Sequence, residues 1–150
     1  MNITLPPEGR PGYVQIGDVT TEAGATIPDV TVAFERWGRL NADASNVILL
    51  QHALTGDDHP TPGWWNGMIG SGRALDTDEY CIICTNVIGG CRGTTGPSSE
   101  HPDGGAWGSR FPAISVRDTV TVERMALKEL GIESIVAVIG GSLGGARTLE

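Results

Sequence analysis

The sequence predicts an α/β fold, built on a mostly parallel sheet with an antiparallel start. Two N-terminal segments alternate apolar and polar residues as paired strands do. Three later segments are short, continuous apolar runs, which are typical of strands buried on both faces of a parallel sheet. A helical pattern precedes the last of these runs and favours a right-handed crossover between parallel strands.

The antiparallel start is predicted at residues 13–16 and 27–37, joined across a turn near residues 22–25. Three apolar residues of the second segment share one face at period two: Val30, Val32 and Phe34. Residues 1–12 are rich in proline and glycine, and we expect them to form a loosely held arm.

The parallel strands are predicted at residues 46–51, 80–85 and 135–139, where apolar and β-branched residues dominate. The middle segment contains Cys81 and Cys84 at C-x-x-C spacing. Residues three apart on a strand point to opposite faces, so these two thiols cannot jointly bind a metal ion. We therefore expect buried structural cysteines and no metal site.

Two long loops, residues 57–76 and 86–112, separate these segments. A connection of about twenty-five residues is uncommon in a compact domain and is usually functional. The first loop holds Trp64 and Trp65, for which we favour a small hydrophobic cluster beneath the loop. The alternative is that the two tryptophans form a wall of a substrate channel.

A helix is predicted between the second loop and the last strand. Ser115 is expected to be its N-cap, Asp118 occupies the capping-box position, and Gly131 ends it. Four apolar residues are expected to line its core-facing side: Val116, Val120, Leu127 and Leu130.

Composition excludes several classes of partner. The net charge of −8 argues against nucleic acid or an anionic membrane. No apolar run has the length of a membrane span, and residues 1–7 lack the basic and apolar regions of a signal peptide. Three cysteines cannot all pair with one another, and a reducing cytoplasm is the simplest interpretation.

The last apolar run leads into residues 140–145 (GGSLGG), where glycines surround one serine. Gly140, Ser142 and Gly144 satisfy G-x-S-x-G between a strand and a helix, the pattern of a nucleophile elbow. The glycines are needed because the strand and the helix pass so closely that Cβ atoms would clash. An ordinary tight turn in a glycine-rich chain can show the same pattern, but we interpret Ser142 as a nucleophile.

Acyl transfer through a serine also needs two N–H donors for the oxyanion, a base, and a group that orients the base. In the fold that carries this turn, one donor follows the serine and the other lies in the loop after an earlier strand. These rules assign the backbone N–H groups of Leu143 and Leu54. Thr55 is expected either to contact substrate or to cap the turn.

The base is not found within the 150 residues. α/β-Hydrolases carry their catalytic groups in the order serine, acid, histidine, whereas His52, His59 and His101 all precede Ser142. We expect His52 to be a structural hydrogen-bonding residue and the other two histidines to be solvated. The acid and the base are therefore expected beyond residue 150, and the fragment alone should be inactive.

The sequence resembles the N-terminal part of the homoserine O-acetyltransferases, which are α/β-hydrolase-fold acyltransferases of methionine biosynthesis. The resemblance covers nearly all of the chain from about residue 13. It rests on four ordered motifs, at residues 52–56 (HALTG), 85–97 (TNVIGGCRGTTGP), 110–112 (RFP) and 140–150 (GGSLGGARTLE). Leu143 stands where the family usually has methionine, and Thr94 where it usually has serine.

The resemblance implies that residues 1–150 are the N-terminal portion of an α/β-hydrolase core domain, with the lid and the C-terminal portion beyond them. It implies acetyl transfer from acetyl-CoA, a co-substrate rather than a bound cofactor, to the hydroxyl of L-homoserine through an acylated Ser142. It further implies a cytoplasmic enzyme that is a homodimer when complete. Three arginines are candidates for the CoA phosphates or the homoserine carboxylate, although loop and surface salt bridges are the better interpretation of each: Arg92, Arg110 and Arg147.

Three alternatives stay open. The same fold can serve a homoserine O-succinyltransferase or a serine O-acetyltransferase. It can also serve an esterase, in which water is the acceptor. A non-catalytic relative would retain the fold and lack the downstream acid and histidine.

Overall fold

The computed structural model describes residues 5–61 and 63–150. The strands within these ranges are β1 (Gly12–Thr20), β2 (Thr26–Trp37), β3 (Val47–Gln51), β4 (Ile69–Gly70), β5 (Leu75–Asp76), β6 (Cys81–Thr85) and β7 (Ala137–Gly140). The α-helices are α1 (Val116–Glu129) and α2 (Leu143–Leu149). None of the described helices is long and apolar enough to cross a membrane.

Five strands form the main sheet in the order β1-β2-β6-β3-β7. β2 pairs antiparallel with both β1 and β6, whereas β6, β3 and β7 run parallel to one another. The predicted parallel sheet with an antiparallel start is therefore confirmed. β1 is longer than the predicted residues 13–16. The register shifts on either side of Gly17, and these irregularities hide the alternation of side chains on which the prediction depended.

The N-terminal arm is docked against β2 over the part that the structure describes; residues 1–4 of the predicted arm lie outside it. The Gly9 N–H donates to the Arg36 carbonyl at 3.0 Å, and the Arg36 Nε donates to the Pro6 carbonyl at 2.7 Å. The expectation of a loosely held arm is wrong for these residues. Proline and glycine content indicates turns, but it does not report whether backbone groups find partners in a neighbouring strand.

β3 and β6 form the centre of the core and are buried along their whole length, as predicted. One face of these strands packs against Leu127 of α1 and the following Leu130. The other face packs against Ile69 and Leu75, which belong to the short parallel pair β4 and β5 in the first long loop.

The two cysteines of β6 lie on opposite faces of the sheet, as predicted. Cys81 packs in the cluster on the α1 side and Cys84 in the cluster on the other side. Burial raises the pKa of the Cys81 thiol to about 11 and raises the pKa of the Cys84 thiol as well. Both thiols are unpaired and are held as neutral core residues.

Helix α1 begins and ends where the sequence predicts. The Ser115 hydroxyl accepts the Asp118 N–H at 3.0 Å, and the Asp118 carboxylate accepts the Ser115 N–H at 2.9 Å. The helix ends before Gly131, whose φ of +70° favours glycine.

The predicted core-facing side of α1 is partly wrong. Leu127 and Leu130 are buried, but Val116 and Val120 are only half-buried. The buried residues within α1 are Asp118, Thr119, Val122, Glu123, Ala126 and Leu127. The apolar pattern missed this face because three of these side chains are polar and satisfy their hydrogen bonds inside the protein.

β7 lies at the edge of the described sheet and pairs with β3 alone. Its four residues are half-buried, and Val136 just before it is 53% exposed. The prediction of a strand buried on both faces is therefore wrong for this chain. The apolar run correctly predicts a strand, but burial depends on what covers the strand, which local composition does not report.

The second long loop is held against β2 by two threonine hydroxyls. Thr94 Oγ1 accepts the Ala33 N–H and Thr95 Oγ1 accepts the Thr31 N–H, each at 2.9 Å. These bonds satisfy β2 backbone groups where the neighbouring strands do not reach. Since serine also carries a hydroxyl, threonine at position 94 keeps this contact.

Candidate active site

Ser142 occupies a sharp turn between β7 and α2, and its side chain is exposed. Its φ of +58° and ψ of −124° lie in a region that residues with a Cβ rarely adopt. Such strain persists only where the surrounding structure enforces it, and it concentrates at functional sites. The strand–turn–helix geometry expected from G-x-S-x-G is therefore present.

Two glycines of the turn are required by close backbone packing. A Cβ on Gly144 would lie 2.0 Å from the carbonyl oxygen of Gln51, and a Cβ on Gly140 would lie 2.5 Å from the carbonyl carbon of Gly144. Gly141 and Gly145 have room, because their nearest contacts would be at 4.0 and 3.4 Å. The α2 helix thus packs directly on the end of β3 through Gly144.

The loop after β3 reaches the same edge of the sheet as the serine turn. Gln51, the last residue of β3, pairs in register with Gly140, so the two parallel strands end side by side. The backbone then forms a turn closed by the Gly56 N–H, which donates to the Ala53 carbonyl at 2.8 Å. Leu54 lies within this turn with its side chain 74% exposed. Leu143 is the first residue of α2, where N–H groups lack intrahelical partners.

His52 is buried at the start of this loop and uses both ring nitrogens. Nδ1 donates to the Ala53 carbonyl at 2.7 Å, and Nε2 accepts the Val87 N–H at 3.1 Å. Burial is the main cause that lowers the pKa of His52, which keeps the imidazole neutral. The structural role expected for this histidine agrees with these contacts.

The other two histidines are only partly exposed and each contacts a partner within the protein, whereas the expectation was that both are solvated. His59 Nδ1 lies 2.7 Å from a carboxylate oxygen of Glu35, which is 2% exposed. The His101 ring packs edge-on against Trp107 with centroids 4.3 Å apart. His59 and Glu35 are 24 residues apart and only the fold brings them together, whereas His101 and Trp107 belong to the same loop.

A cleft of about 240 Å³ opens beside the loop after β3. Thr55 and His59 line it together with Trp64 and Trp65. Trp64 is 74% exposed, and its ring carbon Cζ3 is the atom nearest to a Cβ built on Gly141. The favoured interpretation of the tryptophan pair as a buried cluster is therefore wrong for Trp64, although the half-buried Trp65 does pack against the core.

The three arginines make contacts within the protein. Arg92 pairs with Asp57 at 2.8 Å, and Arg110 donates to the Ala106 carbonyl at 3.0 Å. Arg147 is buried and pairs with Glu123 at 2.9 Å. The contacts of Arg92 and Arg110 agree with the interpretation as loop and surface contacts. The expectation is wrong for Arg147, whose ion pair is buried instead of lying at the surface.

Asp58 is a buried carboxyl group near the cleft, and sequence analysis did not identify it. It is 2% exposed, and its Oδ1 finds no hydrogen-bond partner within the described part of the chain. Burial, reinforced by the negative charges of Glu35 and Asp57, raises the pKa of Asp58 from 3.8 to about 6. Relative to the unfolded chain, folding therefore favours the protonated form of Asp58.

We expect Asp58→Asn to stabilise the protein above pH 6 and to have little effect below pH 4. The stability that Asp58 contributes when protonated is present below its unfolded pKa of 3.8 and is lost as pH rises through about 6. The difference at pH 7 is at most about 3 kcal/mol. Denaturant unfolding of parent and variant from pH 4 to 8 measures it. Asp43→Asn, at an exposed carboxylate, is the control, and parallel curves for parent and Asp58→Asn would contradict the prediction.

A parallel sheet with an antiparallel start, ending at a strained serine between a strand and a helix, defines an α/β protein with a nucleophile-elbow turn. The family model of the alpha/beta hydrolase fold matches residues 46–149. The chain belongs to this family.

Comparison with known proteins supports the resemblance drawn from the motifs. The chain is 60% identical over 149 residues to a homoserine O-acetyltransferase of Corynebacterium efficiens, covering 97% of this chain and 39% of that protein. The crystal structure of homoserine O-acetyltransferase from Bacillus anthracis superposes with a TM-score of 0.84 at 34% identity, covering 92% of this chain and 41% of that one. The chain therefore spans about two fifths of these relatives.

An esterase is structurally as similar as the acetyltransferase. The crystal structure of esterase E22 has a TM-score of 0.84 at 35% identity, covering 92% of this chain and 42% of that chain. The similarity of folds alone therefore does not distinguish acyl transfer to an alcohol from acyl transfer to water.

Proposed function

We propose that this chain is the N-terminal portion of a homoserine O-acetyltransferase, which transfers acetyl from acetyl-CoA to the hydroxyl of L-homoserine. The observation that carries the proposal is the 60% identity to the Corynebacterium efficiens homoserine O-acetyltransferase across nearly the whole chain. The strained Ser142 supports it, because an exposed hydroxyl on such a turn is suited to nucleophilic attack. The activity belongs to the complete protein, by which we mean this chain continued through the remaining length of its relatives.

In the first step, the Ser142 hydroxyl attacks the thioester carbon of acetyl-CoA and transfers its proton to a base. The backbone N–H groups of Leu54 and Leu143 donate to the tetrahedral oxyanion. The carbon–sulfur bond then breaks and CoA leaves as the thiol. We assign the base and its orienting acid to residues after 150, because this fold carries both after the serine and because His52 already uses both ring nitrogens.

In the second step, the γ-hydroxyl of L-homoserine loses its proton to the base and attacks the acyl carbon. The ester bond to Ser142 breaks, the serine regains its proton, and O-acetylhomoserine leaves. Transfer succeeds only if water is kept from the acyl-enzyme. We assign the cleft lined by Thr55 and Trp64 to substrate entry, with the exposed indole as part of its wall.

The second candidate is an esterase, because esterase E22 is as similar in structure to this chain as the Bacillus anthracis acetyltransferase is. The two functions differ in the acceptor. We expect the complete protein to release CoA from acetyl-CoA in the presence of L-homoserine, with release at least about tenfold slower without it. Equal release with and without acceptor would favour the esterase. Succinyl-CoA and L-serine, tested in the same assay, distinguish the related O-succinyltransferase and serine O-acetyltransferase.

Four further properties are proposed from the family resemblance. The complete protein is expected to be a cytoplasmic homodimer that uses acetyl-CoA as a co-substrate and holds no bound cofactor. Sedimentation equilibrium of the complete protein measures the oligomeric state.

A further inference from the structure

A buried carboxylate beneath the serine turn connects four elements of the fold. Glu123 of α1 is 3% exposed, and its Oε1 accepts a hydrogen bond from Arg147 Nη2 of α2 at 2.9 Å. The same oxygen accepts the Thr85 hydroxyl at the end of β6. Its second oxygen, Oε2, accepts the side-chain amide of Gln51 at the end of β3. One side chain thus holds the ends of two strands and the helix that follows Ser142.

Gln51 also contacts α2 directly, without Glu123 between them. Its Oε1 accepts the Thr148 hydroxyl at 2.9 Å, and its backbone carbonyl lies against Gly144. Gln51 is three residues before Leu54, and Arg147 is one helical turn after Leu143. The network therefore ends, on both sides, close to the two proposed oxyanion donors.

Stability does not account for this arrangement. Arg147 is 2% exposed, and its Nε and Nη1 have no partner among the residues the structure describes. A buried ion pair gains little over apolar residues of the same volume, and unsatisfied buried donors oppose folding. A helix facing a core is ordinarily apolar at such positions. The Glu123–Arg147 pair adds little to stability but connects the serine turn to the loop after β3. It is therefore suited to orienting these two segments relative to each other.

We propose that Glu123 is a positioning residue that sets the separation between the backbone N–H groups of Leu143 and Leu54. The inference rests on the proposed nucleophilic role of Ser142. Through Arg147, Glu123 holds α2 and with it Leu143; through Gln51, it holds the end of β3 and with it the loop that carries Leu54. Oxyanion donors act only when they are held at the position where charge develops, so small displacements reduce the rate.

The test is the rate at which Ser142 is modified by a serine-reactive organophosphate, paraoxon, in the complete protein. This reaction needs the nucleophile and the oxyanion donors but no acyl acceptor. We expect Glu123→Gln to slow modification and kcat by about 10- to 100-fold, with KM for L-homoserine within about twofold of the parent. Glu129→Gln is the matched control, because it removes the same charge from an exposed position on the same helix.

A double variant, Glu123→Gln with Arg147→Met, separates positioning from stability. It removes both buried charges, so no unpaired charge remains and the melting temperature should recover towards that of the parent. We expect the modification rate to stay at least about tenfold low even so. The double variant also tests the positioning role of Glu123 if the single variant does not fold.

Two results would overturn the positioning role of Glu123, and a third would remove the nucleophilic role of Ser142 on which it rests. Modification at the parental rate in folded Glu123→Gln would overturn it, as would full recovery of rate in the double variant. Paraoxon failing to modify Ser142 in the parent protein would overturn the proposed function and this inference together. Normal modification in the parent therefore distinguishes failure of the inference from failure of the proposed function.

Discussion

Replacement of Ser142 by alanine in the complete protein is expected to abolish formation of the acetyl-enzyme. Loss of a catalytic serine nucleophile lowers turnover by about 10⁴- to 10⁶-fold, since no other group takes over the attack. The fold should persist, because the Ser142 side chain is exposed and makes no capping hydrogen bond to α2. Mass spectrometry after mixing with acetyl-CoA detects the acetyl adduct, and thermal unfolding reports the integrity of the fold.

Ser109→Ala is the matched control for this experiment. Ser109 is exposed in a short 3₁₀ segment, Gly108–Arg110, and lies outside the serine turn. The control should form the adduct at the parental rate and unfold at the parental temperature. An acetyl adduct that survives in Ser142→Ala would show that a different residue is the nucleophile.

Gly144→Ala is expected to destabilise the protein by more than about 3 kcal/mol and to remove activity. The added Cβ would lie 2.0 Å from the Gln51 carbonyl oxygen, a backbone atom that cannot move without displacing β3. Relief requires α2 to separate from the sheet, which also displaces Leu143. Denaturant unfolding of the complete protein measures the loss, provided that parent and variant unfold reversibly.

Gly145→Ala is a close control, because the same change is made one residue further along the same helix. A Cβ there would meet its nearest neighbour at 3.4 Å, which is an ordinary contact. Alanine is also favoured over glycine within a helix by up to about 1 kcal/mol. We therefore expect this variant to match or exceed the parental stability. Equal stability of the two alanine variants would contradict the close packing of α2 on β3.

The strands of the main sheet, the limits of α1 and the serine turn were predictable because each is specified by neighbouring residues. The short strands β4 and β5 were missed, because they lie within a segment predicted as a loop. The Ser115 and Asp118 capping box satisfies backbone groups within one turn of helix, so its partners are three residues apart. Gly140 is required by the sharp turn itself, because a Cβ there would meet the backbone of Gly144, four residues further along the chain. The capping box and the serine turn therefore depend on residues close together in sequence, and the sequence pattern predicts them.

The errors of prediction concern contacts between residues that are far apart in sequence. His59 and Glu35 are 24 residues apart, and their contact depends on a loop returning to β2. Trp64 is exposed at the cleft instead of being buried, and Val116 and Val120 are only half-buried because the helix buries polar residues on its core-facing side. In each case the residue type and its local sequence did not predict the burial or the contacts of the side chain, because its neighbours come from other parts of the chain.

The amino-acid sequence by itself determined the order of strands and helices, the turn at Ser142 and the resemblance to a family, since these depend on short-range sterics and on motifs. Only the tertiary structure decided that Glu123, Arg147 and Gln51 meet beneath that turn. Glu123 and Gln51 are 72 residues apart, and each is polar, so no apolar pattern indicates that they are buried together. A buried polar group is tolerated only where the folded chain supplies its partners, which makes such contacts a property of the whole fold.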